Sequence, residues 1–243
     1  MSAPTPPPWA GCWTRRLLRV PGEADDTSTA VTWLQAGQQF VDLRQPAGRP
    51  SFSGAGSLRD CTTAQLHWLS RQQAFAGRLE VYGALYRWQR EIEFGVPMVG
   101  VDAGHMQRVD GLWHETGIFV EYLEHWALTP WQGGPCVSRK FLLVGDGQPP
   151  RAGLLCVVGA DWMLALDGAL PAHHRHGVAL SAALDGEFSL GRVLAGAARI
   201  ERSTLPWREG LTLPFEAAAP LAFVQHHPAL AGLTLHWDEV SPA

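Results

Sequence analysis

Residues 101–126 read VDAGHMQRVDGLWHETGIFVEYLEHW and combine strand-like alternation with many polar side chains. A strand needs no carboxylates at alternating positions among aromatics, so this polarity indicates a separate purpose. Side chains on an extended chain alternate between two faces. If the stretch were extended throughout, Trp113, Glu115, Phe119 and Glu121 would share one face. Such a face is typical of a pocket lining or of a buried polar network, and it predicts a pocket more clearly than it predicts a reaction.

The composition is that of a globular protein with little surface charge. Hydrophobic residues make up 46% of the chain, charged residues make up 17%, and the formal net charge is −4. The 243 residues suffice for one large β-domain or two small ones. No basic block alternates with aromatic residues, so we expect no nucleic-acid partner. There is no apolar run of the ~18 residues that a membrane helix needs and no signal peptide, so we expect a cytoplasmic protein without a membrane partner.

The sequence offers no pattern for a metal or a cofactor. No two of the four cysteines form a C-x-x-C pair, and we predict that all four are reduced thiols. The loop at residues 171–177, PAHHRHG, holds three His without a carboxylate partner, so we expect a solvated loop rather than a zinc site. Glycine-rich phosphate loops and the G-x-S-x-G motif are both missing, and we therefore expect a cofactor-independent protein.

Short strand-like runs separated by turn residues dominate the chain. Asp-Gly dipeptides at residues 146, 167 and 185 are typical of tight turns between strands. One helix is predicted: Asp60 and Thr62 are both possible N-caps, Thr62 forms a capping-box pattern with Gln65, and Gly77 is placed to end the helix. In the second half we predict strands throughout, including residues 177–184 and 221–225. Many short antiparallel strands indicate an all-β barrel or sandwich.

The composition also suggests where the chain divides. Residues 1–10 are Pro-rich and predict a flexible arm, and PWQGGP at residues 130–135 interrupts the strand pattern near the midpoint. We therefore expect a first β-unit over residues 11–130 and a second over residues 131–243.

Several motifs resemble those of the Hri1-like family of fungal and bacterial proteins. The resemblance extends over roughly residues 13–237, and its motifs are WTRRLL (13–18), VTWLQ (31–35), FVDLR (40–44), YRWQREIEF (86–94), E-T-G-x-F-x-E-Y (115–122) and STLPWREG (203–210). It implies two lipocalin-like antiparallel β-barrels packed side by side, with one helix in the first half. Lipocalin-like barrels hold one small ligand in the barrel mouth, and this expectation rests on fold analogy alone.

Candidate site residues come mainly from the polar stretch. Glu121 and Glu115 are candidate catalytic carboxylates, since a carboxyl group in an aromatic pocket can have a raised pKa, and His105 is a candidate base. The alternative is that these carboxylates pair with arginines in a purely structural network. Residues of a ligand pocket are predicted to be Trp33, Arg44, Asp102, Trp113, Phe119 and Tyr122.

Arg44 stands two residues after Asp42 on a predicted strand, so both side chains lie on one face. Arg44 could clamp an anionic ligand while Asp42 orients it, or the two could form a structural ion pair at a barrel end. The sequence leaves both open.

Three functions fit these observations. The leading one is binding of a small, partly apolar molecule in a pocket lined by Trp and carboxylates. The second is a cofactor-free enzyme, such as an isomerase, cyclase, dehydratase or hydrolase of a secondary metabolite, that uses the same carboxylates for proton transfer. The third is a protein–protein scaffold without a ligand. The expected partner is a small molecule, and a homodimer is left open.

Overall fold

The computed structural model describes residues 7–238, which form fifteen β-strands, two short α-helices and five 3-10 turns. The helices are α1 (Thr63–Leu69) and α2 (Leu180–Ala183). The strands are β1 (Gly11–Arg19), β2 (Ala30–Ala36), β3 (Gln39–Gln45), β4 (Gln73–Tyr82), β5 (Leu85–Glu93), β6 (Asp102–Val109), β7 (Leu112–Gly117), β8 (Leu123–Pro130), β9 (Cys136–Val144), β10 (Arg151–Val158), β11 (Asp161–Leu166), β12 (Glu187–Leu194), β13 (Ala197–Ser203), β14 (Thr212–Pro214) and β15 (Thr234–Trp237). The predicted all-β class is confirmed.

The first eight strands form a closed antiparallel barrel. Each strand pairs with the next along the chain, and β8 pairs with β1 to close the ring. In this arrangement the loops β1–β2, β3–β4, β5–β6 and β7–β8 all lie at one end, which we call the rim. An aromatic cluster fills the barrel: Trp13, Trp33, Phe40, Phe75, Tyr86, Trp88 and Trp126.

The remaining strands form a curled half-barrel, in the order β14-β13-β12-β11-β10-β9-β15. One face of this sheet packs on the first barrel, through residues such as Leu154, Cys156 and Met163. The other face is covered by the C-terminal segment, from which Phe223, Val224 and Leu230 are buried against the sheet. The second unit is thus an open sheet with both faces covered.

Barrel and sheet share one apolar layer. The barrel contributes outward side chains of β2, β3 and β4 and one from β5, and the sheet contributes those of β10, β11 and β12. Its buried members from the barrel strands are Leu34, Ala36, Val41, Leu43, Ala74, Ala76 and Ile92. The strands β2 to β4 are therefore buried on both sides, unlike a sheet that faces water on one side.

Two arginines of the second unit strengthen this contact. Arg202 donates to the side chains of Gln45 and Thr32 and to backbone carbonyls of the barrel. The guanidinium group of Arg175 is buried and donates to the carbonyls of Glu93 at 2.7 Å and Gly95 at 3.2 Å. Because Arg175 holds the end of β5, the second unit fixes the position of part of the barrel rim.

The helical parts differ from the prediction. The capping box of Thr62 and Gln65 is present, but α1 ends at Leu69 and the chain enters β4 at Gln73 rather than remaining helical to Gly77. The segment after Leu69 forms a strand because Ala74 and Ala76 fill the shared apolar layer while Phe75 faces the barrel interior. Tertiary packing here overrides local propensity.

Other predicted strands are also replaced. The segment 177–184 contains α2, and 221–225 forms a 3-10 turn that packs on the sheet, so both strand predictions are wrong. Residues 1–6 of the predicted arm lie outside the described part of the chain. At residues 7–10 the chain instead packs on the barrel, where Trp9 lies edge-on to Tyr86 and its carbonyl accepts from Trp13.

All four cysteines are free thiols, as predicted. Between residues 7 and 238, no helix is both long and apolar enough to cross a membrane.

A buried carboxylate anchors the C-terminal segment to the sheet. Glu187 on β12 accepts a hydrogen bond from Ser189 at 2.7 Å, and its oxygens lie 3.1 Å from His227 Nε2 and 3.3 Å from Arg208 Nε. Nδ1 of His227 accepts from the Ala229 N–H, which leaves the proton on Nε2. Burial raises the pKa of Glu187, but His227, Arg208 and Ser189 outweigh burial and hold the pKa below its ordinary value.

We expect Glu187→Gln to lower the free energy of unfolding by about 1.5–3 kcal/mol at neutral pH, because the Arg208 guanidinium loses its counter-charge and the buried Nε2–H of His227 loses an anionic acceptor. The stabilisation by a carboxylate of lowered pKa is present above the unfolded-state pKa and is lost as pH falls through the folded-state pKa. The difference from wild type should therefore shrink below about pH 4.5. Urea unfolding at several pH values measures this, with the exposed Glu201→Gln as control. A loss that stays constant across pH would contradict the assignment.

Candidate functional site

Charged side chains gather in the rim half of the barrel interior. Arg15 donates to Glu124 at 2.7 Å and to Asp26 at 2.9 Å. Arg44 donates to Asp42 at 3.0 Å and lies 3.5 Å from Glu124. Asp42, Glu124 and Arg15 are buried, so these charges are compensated by one another rather than by water.

A third arginine, Arg90, belongs to the same network of charged side chains. Arg90 donates through Nε and Nη2 to one oxygen of Asp102, at 3.0 and 2.7 Å, while Glu93 lies 3.7 Å away. The guanidinium groups of Arg90 and Arg44 both lie over the ring of Phe75, at 4.6 and 4.9 Å from its centre. Cation–π attraction therefore helps to fix both arginines.

Glu115 is the one carboxylate of this group that pairs with no arginine among the described residues. It accepts hydrogen bonds from the Tyr122 hydroxyl at 2.5 Å and from Trp126 Nε1 at 2.9 Å. Burial, reinforced by the neighbouring Glu124 charge, raises the pKa of Glu115 well above its ordinary value. A carboxyl group in this state holds its proton at higher pH than usual and can donate it.

Two glycines make room for Glu115 and Tyr122. A Cβ atom at Gly104 would lie 2.8 Å from Cγ of Glu115, and one at Gly117 would lie 2.3 Å from the Tyr122 ring. Both positions have no space for a side chain. Gly117 also ends β7, and its N–H donates to the Tyr122 carbonyl across the turn.

The Trp-lined interior leaves almost no free space. Its cavity has a volume of about 10 Å³, which is room for about one water molecule. The lining is Trp33, Asp42, Arg44, Phe75, Trp88, Asp102, Glu115 and Trp126. The protein's own arginines and aromatic rings fill the barrel at the place where a lipocalin-like barrel would hold a ligand.

A larger cavity lies at the rim, where barrel and second unit meet. This rim cleft has a volume of about 360 Å³. Its walls come from the start of β4, the end of β5 with the following loop, and α2: Ser70, Gln72, Gln73, Ala74, Phe75, Glu93, Phe94, Gly95, Val96, Met98, Leu180, Ala183 and Leu184. Most of these side chains are apolar, and Phe75 borders both this cleft and the interior cavity.

A polar slot opens beside the cleft. The β5–β6 pairing extends only from Leu85 to Trp88, and beyond it the two strands leave a space of about 150 Å³. Arg90, Glu93, Met98 and Asp102 are among the lining residues. The slot shares Glu93 and Met98 with the rim cleft, and it shares Trp88 and Asp102 with the interior cavity.

The structure brings together five of the predicted site residues. Trp33, Arg44, Asp102 and Glu115 line the interior cavity, and Tyr122 bonds to Glu115. Trp113 is half-buried and lies farther from the rim than these residues, with its ring centre 5.8 Å from that of Trp13. Ligand contact by these residues stays a prediction.

Three predicted residues lie elsewhere, two of them because the chain reverses direction. Residues 113–126 do not form one extended strand, since β7 ends at Gly117 and β8 begins at Leu123. Phe119 and Glu121 therefore lie in the exposed β7–β8 turn, and the predicted face shared with Glu115 is wrong. His105 is on the exposed outer face of β6.

The reversal of the chain also explains why some residues of the site were not predicted from the sequence. Turn 118–122 changes which positions point inward, so that Glu124 and Trp126 face the interior, whereas an uninterrupted strand would place them on the face opposite Glu115. Alternation within YRWQREIEF places Trp88 and Arg90 on one face and could have indicated Arg90. Glu93 had no comparable signal, because a bulge between Arg90 and Ile92 in the β4–β5 pairing reverses the alternation along β5. Phe75 lies where the sequence predicts a helix that continues to Gly77.

No group of three His, Cys, Asp or Glu side chains within residues 7–238 has the arrangement of a metal site.

Comparisons with known proteins relate this chain by fold. No protein-family model and no curated protein matches the sequence. The crystal structure of YLR301w from Saccharomyces cerevisiae, described as an uncharacterized protein, is similar, with a TM-score of 0.50 and 15% sequence identity. The match covers 79% of this chain and 84% of the yeast chain. At this identity the similarity shows a shared fold and carries no function.

We expect Gly117→Ala to destabilise the protein by roughly 1–3 kcal/mol, because the added methyl group overlaps the Val120 carbonyl and the Tyr122 ring. Displacing Tyr122 should also change its ultraviolet absorbance. Thermal unfolding and difference spectroscopy measure the two effects. Gly56→Ala is a suitable control, since its Cβ would meet only Asp60 at 3.7 Å. Equal stability of the two variants would contradict the packing described.

We expect Glu115→Gln to match wild-type stability near pH 5 and to exceed it at about pH 8. The ionised form of a buried carboxyl with raised pKa costs stability as pH rises above the unfolded-state pKa, and Gln avoids that cost. Its amide oxygen can accept from Trp126 Nε1, and its NH₂ group can donate to the Tyr122 hydroxyl oxygen, which then acts as acceptor instead of donor. Melting temperatures across this range test the sign, and a variant less stable at every pH would show that Glu115 acts as a structural anion.

Proposed function

We propose that this protein binds a small, partly apolar molecule in the rim cleft. The observation that carries this proposal is a cavity of about 360 Å³ with mostly apolar walls next to a few fixed polar groups. Small-molecule sites have this character and a volume of about 300–1,000 Å³. The lipocalin-like architecture of the first unit agrees with such a role by analogy of fold.

Exposed apolar side chains at the rim support the same site. Val96 and Met98 line the cleft and are about half exposed, while Val99 next to them is 99% exposed. Phe119 is 68% exposed on the β7–β8 turn at the same end of the barrel. A cluster of exposed apolar residues is costly in water, and such patches mark surfaces that bind other molecules.

A variant in the cleft wall tests the proposal. Leu180 on α2 is 42% exposed and lines the cleft, so Leu180→Gln should leave folding intact. We expect it to weaken binding of aromatic and aliphatic compounds by up to about tenfold, which corresponds to ~1.4 kcal/mol. Isothermal titration calorimetry and ligand-induced shifts in melting temperature measure this.

Leu194→Gln is the matched control, because Leu194 is 57% exposed and is not part of the cleft wall. Native mass spectrometry of the purified protein would also detect a compound that co-purifies. If a broad panel of dyes, fatty acids and aromatic metabolites fails to bind wild type, the proposal is wrong.

A second function, a cofactor-free enzyme, is favoured by one observation. Glu115 is a buried carboxyl of raised pKa at the wall of the interior cavity, which is linked to the slot through Trp88 and Asp102. It could act as the acid in an isomerisation or dehydration of a secondary metabolite, and the hydrogen bond that it accepts from the Tyr122 hydroxyl fixes its side chain. Glu121 and His105 line none of these three cavities. Loss of turnover in Glu115→Gln with unchanged ligand affinity would support catalysis.

A further inference from the structure

We infer that the rim cleft selects molecules that carry a cationic group on an apolar body, with Glu93 as the counter-charge. This inference rests on the proposed binding function and names the class of ligand. Among the described residues that line the cleft, Glu93 alone is charged. The rest of the polar lining consists of Ser70, Gln72 and Gln73.

The carboxylate of Glu93 is only partly used by the protein. Its Oε2 accepts the Met98 N–H at 3.1 Å, which fixes the side chain against the β5–β6 loop. No described residue within 7–238 donates a hydrogen bond to Oε1. The side chain retains 17% of its exposure, so a bound molecule can reach it.

Arg90 is shared between Asp102 and Glu93 and cannot neutralise both. Two hydrogen bonds from Arg90 go to Asp102, at 3.0 and 2.7 Å, whereas the closest approach to Glu93 is 3.7 Å. Arg90 also lies over the Phe75 ring, which keeps its guanidinium plane in place. With the Arg90–Asp102 pair balanced, Glu93 leaves one negative charge at the cleft wall.

An anionic ligand finds no partner there. Arg175 lies behind Gly95 but is buried, and its guanidinium is committed to Asp167 and to backbone carbonyls. A carboxylate or phosphate in the cleft would be desolvated next to the negative charge of Glu93, and no cationic side chain of the cleft wall would compensate its charge. A neutral ligand would gain apolar contacts with Phe94, Met98 and Leu184, and an ammonium group would add an ion pair with Glu93.

Three probes with the same aromatic body separate these cases. They are 2-naphthylmethylamine, 2-naphthylmethanol and 2-naphthoate, titrated into the full chain by isothermal calorimetry at neutral pH. We expect the amine to bind about tenfold tighter than the alcohol, and the carboxylate to bind most weakly. The preference should diminish at high ionic strength, because the ion pair is partly exposed.

Glu93→Gln keeps the shape of the side chain and removes its charge. It should equalise the amine and the alcohol while the affinity of the alcohol stays unchanged. Glu91→Gln is the matched control: Glu91 lies on the same strand, pairs with Lys140 and does not line the cleft, so the preference for the amine should persist.

The outcomes distinguish this inference from the proposed function. If the alcohol or the carboxylate binds wild type as tightly as the amine, the inference is wrong and the binding function stands. If no probe binds, the inference is wrong, and the broad ligand panel decides the binding function separately. The order of affinities in wild type and its dependence on salt decide the matter even if Glu93→Gln fails to fold.

Discussion

The apolar layer between the barrel wall and the second sheet is the constraint on which the rest of the structure depends. It buries the outer faces of β2, β3 and β4, whose inner faces are already buried by the aromatic cluster. These strands can therefore carry charge only where a partner is available, as at Asp42 and Arg44. The same contact brings α2 next to the ends of β4 and β5, so the rim cleft exists only because the two units are packed together.

The barrel interior is filled because its inward side chains are mostly large aromatic rings. Trp13 and Trp33 stack with their ring centres 4.5 Å apart, and Trp88 and Trp126 meet Trp33 edge-on. The guanidinium groups of Arg44 and Arg90 then occupy the remaining space above Phe75. Removal of such a group would leave buried carboxylates unpaired, which is far more costly than the loss of an exposed ion pair. A ligand therefore finds room at the rim rather than in the interior.

Local patterns in the sequence predicted the β-class, the helix start at Thr62 and the shared face of Asp42 and Arg44, because these depend on residues close together in the chain. The inward direction of Glu115 also followed from alternation. The inward direction of Glu124 did not, since an unrecognised turn shifted the alternation by one position. The rim cleft was out of reach for another reason: its walls come from residues 70–75, 93–98 and 180–184, and tertiary packing alone brings these together.

Two carboxylates with opposite environments now define the chemical possibilities of the rim. Glu93 is partly exposed and faces an apolar cleft, where a fixed negative charge favours a cation. Glu115 is buried, and burial raises its pKa well above the ordinary value, which favours proton donation over charge pairing. Phe75 is the ring that borders both the cleft and the cavity of Glu115. A molecule that is held at Glu93 and extends only as far as Phe75 would be bound without reaching Glu115. To reach Glu115, a molecule would have to displace the guanidinium group of Arg44 or Arg90 from the Phe75 ring. The mobility of these two arginines therefore separates a binding protein from an enzyme on this fold.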